Sequence, residues 1–176
     1  IHSKRAWNTT KNVNTYASSS INTWLNGDFF NSLGPTEKST VKQVKIPYCV
    51  GNNTSTIKSG VNGLSCKIFL LGGHETGWTT SMNEFIPEDG AKLSYFEIGN
   101  DTFAKSKRIA TYNSSRTEWW LRSARLYNDL LVWFVARDGS TGGDQPTNGP
   151  YGIRPALVLP SNALFDGKTM LLKGVA

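Results

Sequence analysis

The sequence contains few of the residues from which metal centres and nucleophilic active sites are built. Two cysteines and two histidines occur among 176 residues, and they form no CxxC pair and no Cys/His ligand cluster. Zinc sites and redox thiols depend on such spacings. We therefore expect neither a metal site nor a cofactor. Cys49 and Cys66 can close one disulfide across a loop or remain two free thiols, and the sequence leaves both options open.

The sequence also offers little catalytic machinery. His2 lies at the start of the chain, and His74 stands beside Glu75 without a serine or cysteine nucleophile motif near it. We interpret His74 as a structural or capping residue and assign no catalytic residue. The prediction is a protein that is not an enzyme.

Long apolar runs and clustered positive charge are absent too. No stretch approaches the roughly 18 apolar residues of a membrane span, so we expect no membrane insertion. The net charge is +6, but the basic residues are dispersed, and we interpret the densest group, Lys105, Lys107 and Arg108, as a solvated turn. We therefore expect no nucleic-acid partner.

The length of the chain fits one domain with a proper core. At 176 residues the chain is too short for two comfortable domains, so we treat residues 1–176 as a single unit. The chain begins at Ile1 instead of methionine, and we expect it to be the C-terminal part of a larger protein.

Helical signals concentrate in the first quarter of the sequence. The stretch "SSSINTWLNGDFF" offers serine N-caps followed by Ile21, Trp24 and Leu25 at helical spacing. A second helix is predicted from Pro35, which suits a first turn, to about Gln43. We predict that "VKIPY" and "CKIFLL" are extended, that residues 51–65 form a loop or hairpin, and that residues 74–100 form a long irregular region.

The last third of the sequence is typical of strands. "RIATY", "TEWWLRS", "LLVWFVARDGS" and "GIRPALVL" are rich in β-branched and aromatic residues, and turn residues separate them. "RDGS" is a good hairpin turn, because Asp-Gly accepts the positive φ that such turns require. The predicted fold class is α+β, with N-terminal helices packed on a small twisted antiparallel sheet and long irregular loops.

Two tryptophans and an arginine share the short stretch "EWWLRS". Alternation along a strand puts Trp119 and Trp120 on opposite faces, with Arg122 on the face of Trp120. That face is either a cation–π or sugar-stacking platform, or a part of the scaffold in which Arg122 pairs with an acid or with carbonyl oxygens. We favour the scaffold. Arg154 is expected to hold a loop by donating to carbonyl oxygens, and Pro155 to lie at a sheet edge or bulge.

The segment from Ala124 to Tyr151 has the composition of a binding loop. It combines aromatic side chains, which give rigid contact area, with small polar residues that adapt to a ligand. The alternative is an ordinary hairpin in which Leu131, Trp133 and Val135 face one core, so that both faces are apolar and need cover. The candidate ligand-binding residues are Arg125, Tyr127, Asn128, Asp129, Leu131, Trp133, Asp144, Gln145, Thr147, Asn148 and Tyr151.

An ordered set of motifs resembles an uncharacterised bacterial and phage domain family. "SSSINTWLNGDFFNSLGPTEK", "CKIFLLGGHE", "KRIATY", "EWWLRS" and "GIRPALVL" follow one another as in that family, which is recognised by WLRS and a GVRPAL-like close. The resemblance spans roughly Tyr16 to Leu159. The closing motifs are also similar to the end of the C-type-lectin-like fold of phage tropism determinants and retroelement-diversified variable proteins.

The resemblance implies a binding module. In that fold a helical front half packs on the sheet, and segments between the last strands form the ligand face. The implied function is a ligand- or receptor-binding domain, extracellular on a phage tail or bacterial surface protein, whose partner is a host or bacterial surface protein or glycan. A structural or assembly module of a fibre or surface protein is the alternative. A homo-oligomer formed through chain beyond this sequence is a further expectation.

The resemblance also predicts that residues 124–151 are rewritten by a diversity-generating retroelement. Such elements mutate template adenines, so asparagine codons change to a limited set of residues. The side chains must then point outward from a rigid sheet, where substitutions cost little stability. The eight reachable products in this segment are Arg125, Tyr127, Asp129, Leu130, Leu131, Gly142, Asp144 and Thr147.

Overall fold

The protein has a mixed α and β fold with few short helices and many short strands. The structure is a computed structural model that describes residues 1–175. None of the helices in this range is long and apolar enough to cross a membrane. The helices are α1 (Ser20–Trp24), α2 (Phe30–Ser32), α3 (Pro35–Thr40) and α4 (Thr102–Arg108). The strands are β1 (Ser3–Arg5), β2 (Val44–Ile46), β3 (Tyr48–Cys49), β4 (Ile57–Lys58), β5 (Leu64–Cys66), β6 (Ile68–Leu70), β7 (Ala110–Tyr112), β8 (Ser115–Thr117), β9 (Trp119–Ala124), β10 (Val132–Val135), β11 (Thr141–Asp144), β12 (Tyr151–Ile153), β13 (Pro155–Leu157), β14 (Ala163–Phe165) and β15 (Leu172–Val175).

Five strands form a curled central sheet in the spatial order β1-β12-β9-β10-β11. Neighbouring strands are antiparallel except β9 and β12, which run parallel with Gly152 opposite Trp119. The purely antiparallel sheet predicted from the sequence is therefore wrong at this pair. The reason is that residues 145–150 carry the chain back along the sheet, so that β12 starts at the same end as β9.

The predicted N-terminal helix is confirmed, with one irregularity. Ser19 caps the helix by accepting a hydrogen bond from the backbone N–H of Asn22. The helix α1 continues into α2 through a π-helical turn at Leu25–Phe29. Within this turn, the Asn26 side chain accepts from the N–H of Ile68 at 3.1 Å and donates to its carbonyl oxygen at 2.9 Å. The wider turn therefore lies where the helix is tied to β6.

Two element boundaries differ from those predicted. The helix α3 ends at Thr40 instead of about Gln43, because Val41 is already extended with φ −63° and ψ 124°. "GIRPALVL" is divided at Arg154 into β12 and β13, and β13 leaves the central sheet to pair with β6. Pro155 begins this two-stranded ribbon, in agreement with the predicted edge position, since proline has no N–H for a second neighbour.

Both faces of the central sheet are covered. Trp120 lies in a first core with Ile21 and Leu25 of the N-terminal helix. Trp119 lies in a second core with Trp78. Both tryptophans of "EWWLRS" are fully buried. The prediction of opposite faces is confirmed, and burial excludes the alternative of an exposed stacking platform at Trp120.

The basic group predicted to be a solvated turn belongs to helix α4. Asp101 caps this helix by accepting from the backbone N–H of Ala104 at 2.8 Å. Arg108 is fully buried, lies 4.1 Å from the ring centroid of Trp78, and donates to backbone carbonyl oxygens of four residues. The prediction of a solvated turn is therefore wrong for Arg108. A local cluster of charges does not reveal burial, because a guanidinium can be buried when carbonyl oxygens accept from its donors.

The two cysteines are free thiols. Cys49 and Cys66 are both buried and unpaired. Burial raises the pKa of each thiol to about 11. They therefore stay protonated near neutral pH and behave as small core residues.

Candidate functional site

Two connecting segments meet at one end of the central sheet. Val132, at the start of β10, pairs with both Ala124 at the end of β9 and Asp144 at the end of β11. Residues 125–131 and residues 145–148 therefore leave the sheet at the same end. The surface formed by these two segments is named the loop face, and most of the candidate ligand-binding residues lie on it.

Amide side chains hold the first segment of the loop face in place. Asn14, which is buried, donates from Nδ2 to the carbonyl oxygens of Asn128 and Leu131 at 2.8 and 3.0 Å. Asn128 in turn accepts at Oδ1 from the N–H groups of Leu130 and Leu131 at 2.8 and 2.7 Å. The side-chain oxygen of Asn128 is thus committed to shaping the loop, as in an Asx turn. The loop is ordered before any ligand binds.

Tyr127 projects from this ordered loop. Its side chain is 64% exposed, and its backbone φ is 53°, in the left-handed region that bulky residues avoid. Holding a tyrosine there costs roughly 1–2 kcal/mol. Asp129, two residues further on, is exposed as well. An exposed ring kept in an unfavourable backbone conformation is typical of a functional site.

Arg125 lies at the base of the same loop, over an aromatic ring. Its guanidinium carbon is 4.5 Å from the ring centroid of Phe85 and 5.9 Å from that of Trp133. Within residues 1–175 its side chain makes no hydrogen bond and no ion pair. It borders a shallow cavity of about 440 Å³ whose other walls are residues 80–85. Residues 80–85 carry no motif in the sequence, and only the polar run "TTSMN" suggests that they lie at the surface.

The second segment of the loop face is fixed by two of the candidate residues. Tyr151 donates from its hydroxyl to Oδ2 of Asp144 at 2.6 Å, and its ring lies 4.5 Å from that of Trp120. The other oxygen of Asp144 accepts from the N–H of Gln145 at 2.8 Å and from Nδ2 of Asn148 at 2.7 Å. Burial, together with Asp144, raises the pKa of Tyr151, so its hydroxyl remains a donor. Tyr151 and Asp144 are therefore internal supports.

Trp133 is the candidate that the structure corrects. It is 4% exposed, lies in the second core, and donates from Nε1 to the carbonyl oxygen of Phe85 at 3.2 Å. Alternation along β10 places it on the face of Trp119, so it supports the loop face from below. Of the other candidates, Tyr127, Asp129, Gln145 and Asn148 are exposed, and Arg125, Asn128, Leu131, Asp144, Thr147 and Tyr151 are half-buried.

The eight positions expected to vary all reach the surface at least in part. Tyr127 and Asp129 are exposed, and the other six are half-buried. Gly142 is the least tolerant of the eight, because a side chain there would meet the ring of Phe134 at 2.6 Å. Variation at these positions stays a prediction.

A buried ion pair joins β9 to the segment that follows β6. Arg122 is fully buried and donates to both carboxylate oxygens of Glu75, at 2.7 and 2.8 Å. Its Nε donates to the carbonyl oxygen of Pro47 at 2.9 Å, and its Nη1 donates to that of Leu70 at 3.0 Å. The prediction of Arg122 as a scaffold residue is confirmed. Sequence reasoning could not name Glu75 as its partner, since it lies 47 positions away in the chain.

Asp89 completes this cluster. Its carboxyl group is fully buried, the hydroxyl of Ser123 lies 2.8 and 2.9 Å from its two oxygens, and Nε of Arg122 lies 3.8 Å from Oδ2. Burial raises the pKa of Asp89 to about 7, although Arg122 and Ser123 lower it. Ser123 is itself fully buried and accepts from the N–H of Gly73. The cluster therefore ties β9 to the segments that contain Glu75 and Asp89.

Arg154 differs from its predicted role. Its guanidinium carbon lies 5.0 Å from the ring centroid of Trp119 and 5.5 Å from that of Phe96. Its Nη1 is buried without a hydrogen-bond partner among residues 1–175, so the expected bonds to carbonyl oxygens are not made there. Burial lowers the pKa of Arg154. The guanidinium of Arg154 is thus surrounded by aromatic rings and not by the carbonyl oxygens that were expected.

The chemistry of the loop face is that of aromatic, amide, carboxylate and guanidinium groups. Within the part of the chain that the structure describes, no three His, Cys, Asp or Glu side chains group closely enough to hold a metal ion. His74, beside Glu75, bonds through Nδ1 with the carbonyl oxygen of Gly90. The loop face therefore has the means for recognition by contact, stacking and hydrogen bonding.

Comparison with known proteins identifies the family. No curated protein and no solved structure matches the chain. A family model described as a domain of unknown function, DUF6273, matches residues 1–161. The matched region contains the central sheet, both of its cores and the loop face, and it ends before β14 and β15. The chain therefore belongs to the DUF6273 family, a domain of unknown function.

Proposed function

We propose that the domain is a binding module and that the loop face is its recognition surface. The observation that carries this proposal is Tyr127, an exposed ring in a left-handed backbone conformation on a loop fixed by Asn14 and Asn128. Stability alone would favour glycine at that position. A rigid exposed aromatic side chain supplies contact area at little entropic cost, which is how binding loops use tyrosine.

The proposed partner is a surface protein or glycan of a host or bacterium. Around Tyr127 the loop face exposes Asp129, Gln145 and Asn148, which can bond with the polar groups of such a partner. The supports of these residues lie inside the protein, so a change on the loop face leaves both cores intact. Diversification of residues 124–151 would exploit this separation.

A C-type-lectin-like fold and an extracellular position on a phage tail or bacterial surface protein belong to the same proposal. Two features support it. The helical front half packs on the sheet through the core that contains Trp120. The loop face lies between β9 and β12, the strands that carry the "WLRS" and "GIRP" motifs, and this is where the resembled fold has its ligand face.

The test is binding of the fluorescently labelled domain to intact cells of a bacterial panel and to a glycan array. Tyr127→Ala is compared with Tyr95→Ala, which removes a tyrosine 57% exposed outside the loop face. We expect Tyr127→Ala to weaken binding about tenfold or more, the loss of about 1.4 kcal/mol or more that a central aromatic contact gives. Unchanged binding of a folded Tyr127→Ala variant would overturn the proposal.

An exposed apolar surface on the β14–β15 hairpin supports the alternative function, an assembly module. The β14–β15 hairpin lies outside the region that the family model matches, and its apolar side chains are exposed to an extent typical of interfaces. Substituting serine for two of them should turn an oligomer into a monomer in light scattering, and a monomeric parent domain would exclude self-assembly through the hairpin. The exposed residues are Leu164, Phe165, Met170, Leu171 and Val175.

A further inference from the structure

A polar cavity adjoins the loop face. It is a shallow space of about 440 Å³ between residues 80–85 and Arg125. Most of its wall is made of hydroxyl, amide and charged groups. The wall therefore differs from the mainly apolar lining of a pocket that binds a hydrophobic side chain. The lining residues are Thr80, Ser81, Met82, Asn83, Glu84, Phe85 and Arg125.

Arg125 brings to this cavity a guanidinium without an acidic partner. The guanidinium carbon lies over the ring of Phe85, 4.5 Å from the ring centroid. No acceptor within residues 1–175 bonds to its N–H groups, so they are available to a ligand. The planar fork of N–H donors matches a carboxylate, which it binds through two parallel hydrogen bonds.

The guanidinium is positioned before a ligand binds. The N–H of Arg125 donates to the carbonyl oxygen of Leu131 at 3.0 Å. The carbonyl oxygen of Phe85 accepts from the N–H of Leu126 at 2.9 Å and from Nε1 of Trp133 at 3.2 Å. Arg125 and the ring that supports it thus belong to one hydrogen-bonded unit. Binding costs less entropy when the contacting groups are already ordered.

The opposite wall offers groups that pair with hydroxyls. Asn83 accepts at Oδ1 from the N–H of Phe85 at 3.1 Å, which leaves its amide N–H donors for a ligand. Ser81 bonds with the hydroxyl of Thr79 at 2.8 Å and can bond with a second group. Glu84 is exposed and can accept from hydroxyl groups, and its negative charge disfavours a ligand that carries several anionic groups. The wall therefore favours a ligand with one anionic group and several hydroxyls.

We propose that this cavity is a subsite for a saccharide residue that bears a single carboxylate, with Arg125 binding the carboxylate. This inference rests on the proposed function and names the ligand class of a subsite beside the loop face. An acidic peptide shares the carboxylate but lacks the hydroxyls that Ser81, Asn83 and Glu84 would bind. The lining therefore favours the acidic saccharide.

The experiment is a titration of the ¹⁵N-labelled domain followed by NMR. Glucuronate is the probe, and glucose is its matched neutral counterpart. Glucuronate is expected to shift the backbone amide resonances of residues 80–85 and 125 in a saturable way, with an affinity at least tenfold above that of glucose. Arg125→Gln is expected to lose at least tenfold in glucuronate affinity. The glucuronate affinity of Arg125→Lys should lie between those of the parent domain and Arg125→Gln, because lysine keeps the charge but not the bidentate fork.

The outcomes separate this subsite from the function on which it rests. Equal affinity for glucuronate and glucose, unchanged affinity in Arg125→Gln or Arg125→Lys, or tighter binding of the tripeptide Gly-Glu-Gly would each overturn the acidic-saccharide subsite. Tyr95→Ala, outside the cavity, should bind glucuronate as the parent does. The subsite fails alone if glucuronate does not bind while binding to cells still depends on Tyr127. Loss of that dependence overturns the proposed function.

Discussion

Arg122 and Glu75 form a buried ion pair with two hydrogen bonds, from Nη1 to Oε2 at 2.7 Å and from Nη2 to Oε1 at 2.8 Å. The pair joins the middle strand of the sheet to the irregular segment that begins after β6. Arg122 also donates to the carbonyl oxygen of Asp89, further along that segment. The arginine therefore organises the scaffold on which the loop face is built.

Removing this arginine should lower the free energy of unfolding by a large part of its total. Arg122→Met leaves the carboxyls of Glu75 and Asp89 buried without a cation, and such losses cost roughly 3–5 kcal/mol. Urea unfolding measures the change. The triple variant with Glu75→Gln and Asp89→Asn, which removes the unpaired charges, should recover a large part of the loss. No recovery would mean that packing, and not charge, dominates the role of Arg122.

Asp89 should make stability depend on pH near neutrality. Its pKa rises from an ordinary value of 3.8 to about 7 in the folded protein, mainly through burial. Between these values the folded state holds a proton that the unfolded state has lost. The free energy of unfolding contributed by Asp89 is therefore highest below about pH 4, falls as pH rises to about 7, and then levels off. The total is on the order of 4 kcal/mol, at about 1.4 kcal/mol per pKa unit.

The matched variant for this prediction is Asp89→Asn, which cannot titrate. The difference in unfolding free energy between parent and variant, measured by urea unfolding from pH 4 to 8, should shift in favour of the variant as pH rises. Arg122, Glu75 and Cys49 also contribute to the electrostatics of this cluster. A difference that is flat across this range would contradict the buried-carboxyl account.

Asn14 should control the order of residues 125–131. Asn14→Ala removes one of the two donors to each of the carbonyl oxygens of Asn128 and Leu131, which keep the N–H groups of Asn53 and Arg125, so a loss of roughly 1 kcal/mol is expected. Hydrogen exchange of the loop amides should become faster than in the parent domain. Asn100→Ala, at an exposed asparagine, is the control and should change neither quantity.

Tyr127→Gly should stabilise the fold while it weakens binding. Glycine accepts the φ of 53° that strains tyrosine, so relief of about 1 kcal/mol is expected. Thermal unfolding gives the stability, and the cell-binding assay gives the function. A glycine variant that is both less stable and equally active would contradict the functional interpretation of this strain.

Local structure could be predicted where it depends on near neighbours. Ser19 caps the first helix as its position suggests, and alternation correctly separated Trp119 from Trp120. The burial of Arg108 could not be predicted, because one of its acceptors, the carbonyl oxygen of Thr76, lies 32 residues away. The parallel pairing of β9 with β12 likewise depends on where residues 145–150 take the chain.

The position of the candidate site could be predicted from the sequence, but the residues that form it could not. Composition located the segment of residues 124–151, yet Trp133 turned inward, and Asn128 and Asp144 hold the loops that carry their neighbours. The groups that complete the site come from Asn14 and residues 80–85, which are far away in the chain and carry no motif. Such contributions appear only once the fold brings distant segments together.

The central claim is that binding resides on the loop face and not on exposed side chains in general. Two quadruple alanine variants test it. Each variant replaces one tyrosine, one acidic residue and two residues with amide side chains, all at exposed positions. We predict that the loop-face variant loses about 100-fold in affinity for the bound cell surface or glycan, near 2.7 kcal/mol, while the control variant binds as the parent does. Equal affinity of the two variants, with both folded, would contradict the account. The loop-face set is Tyr127, Asp129, Gln145 and Asn148, and the control set is Tyr95, Glu97, Asn62 and Asn100.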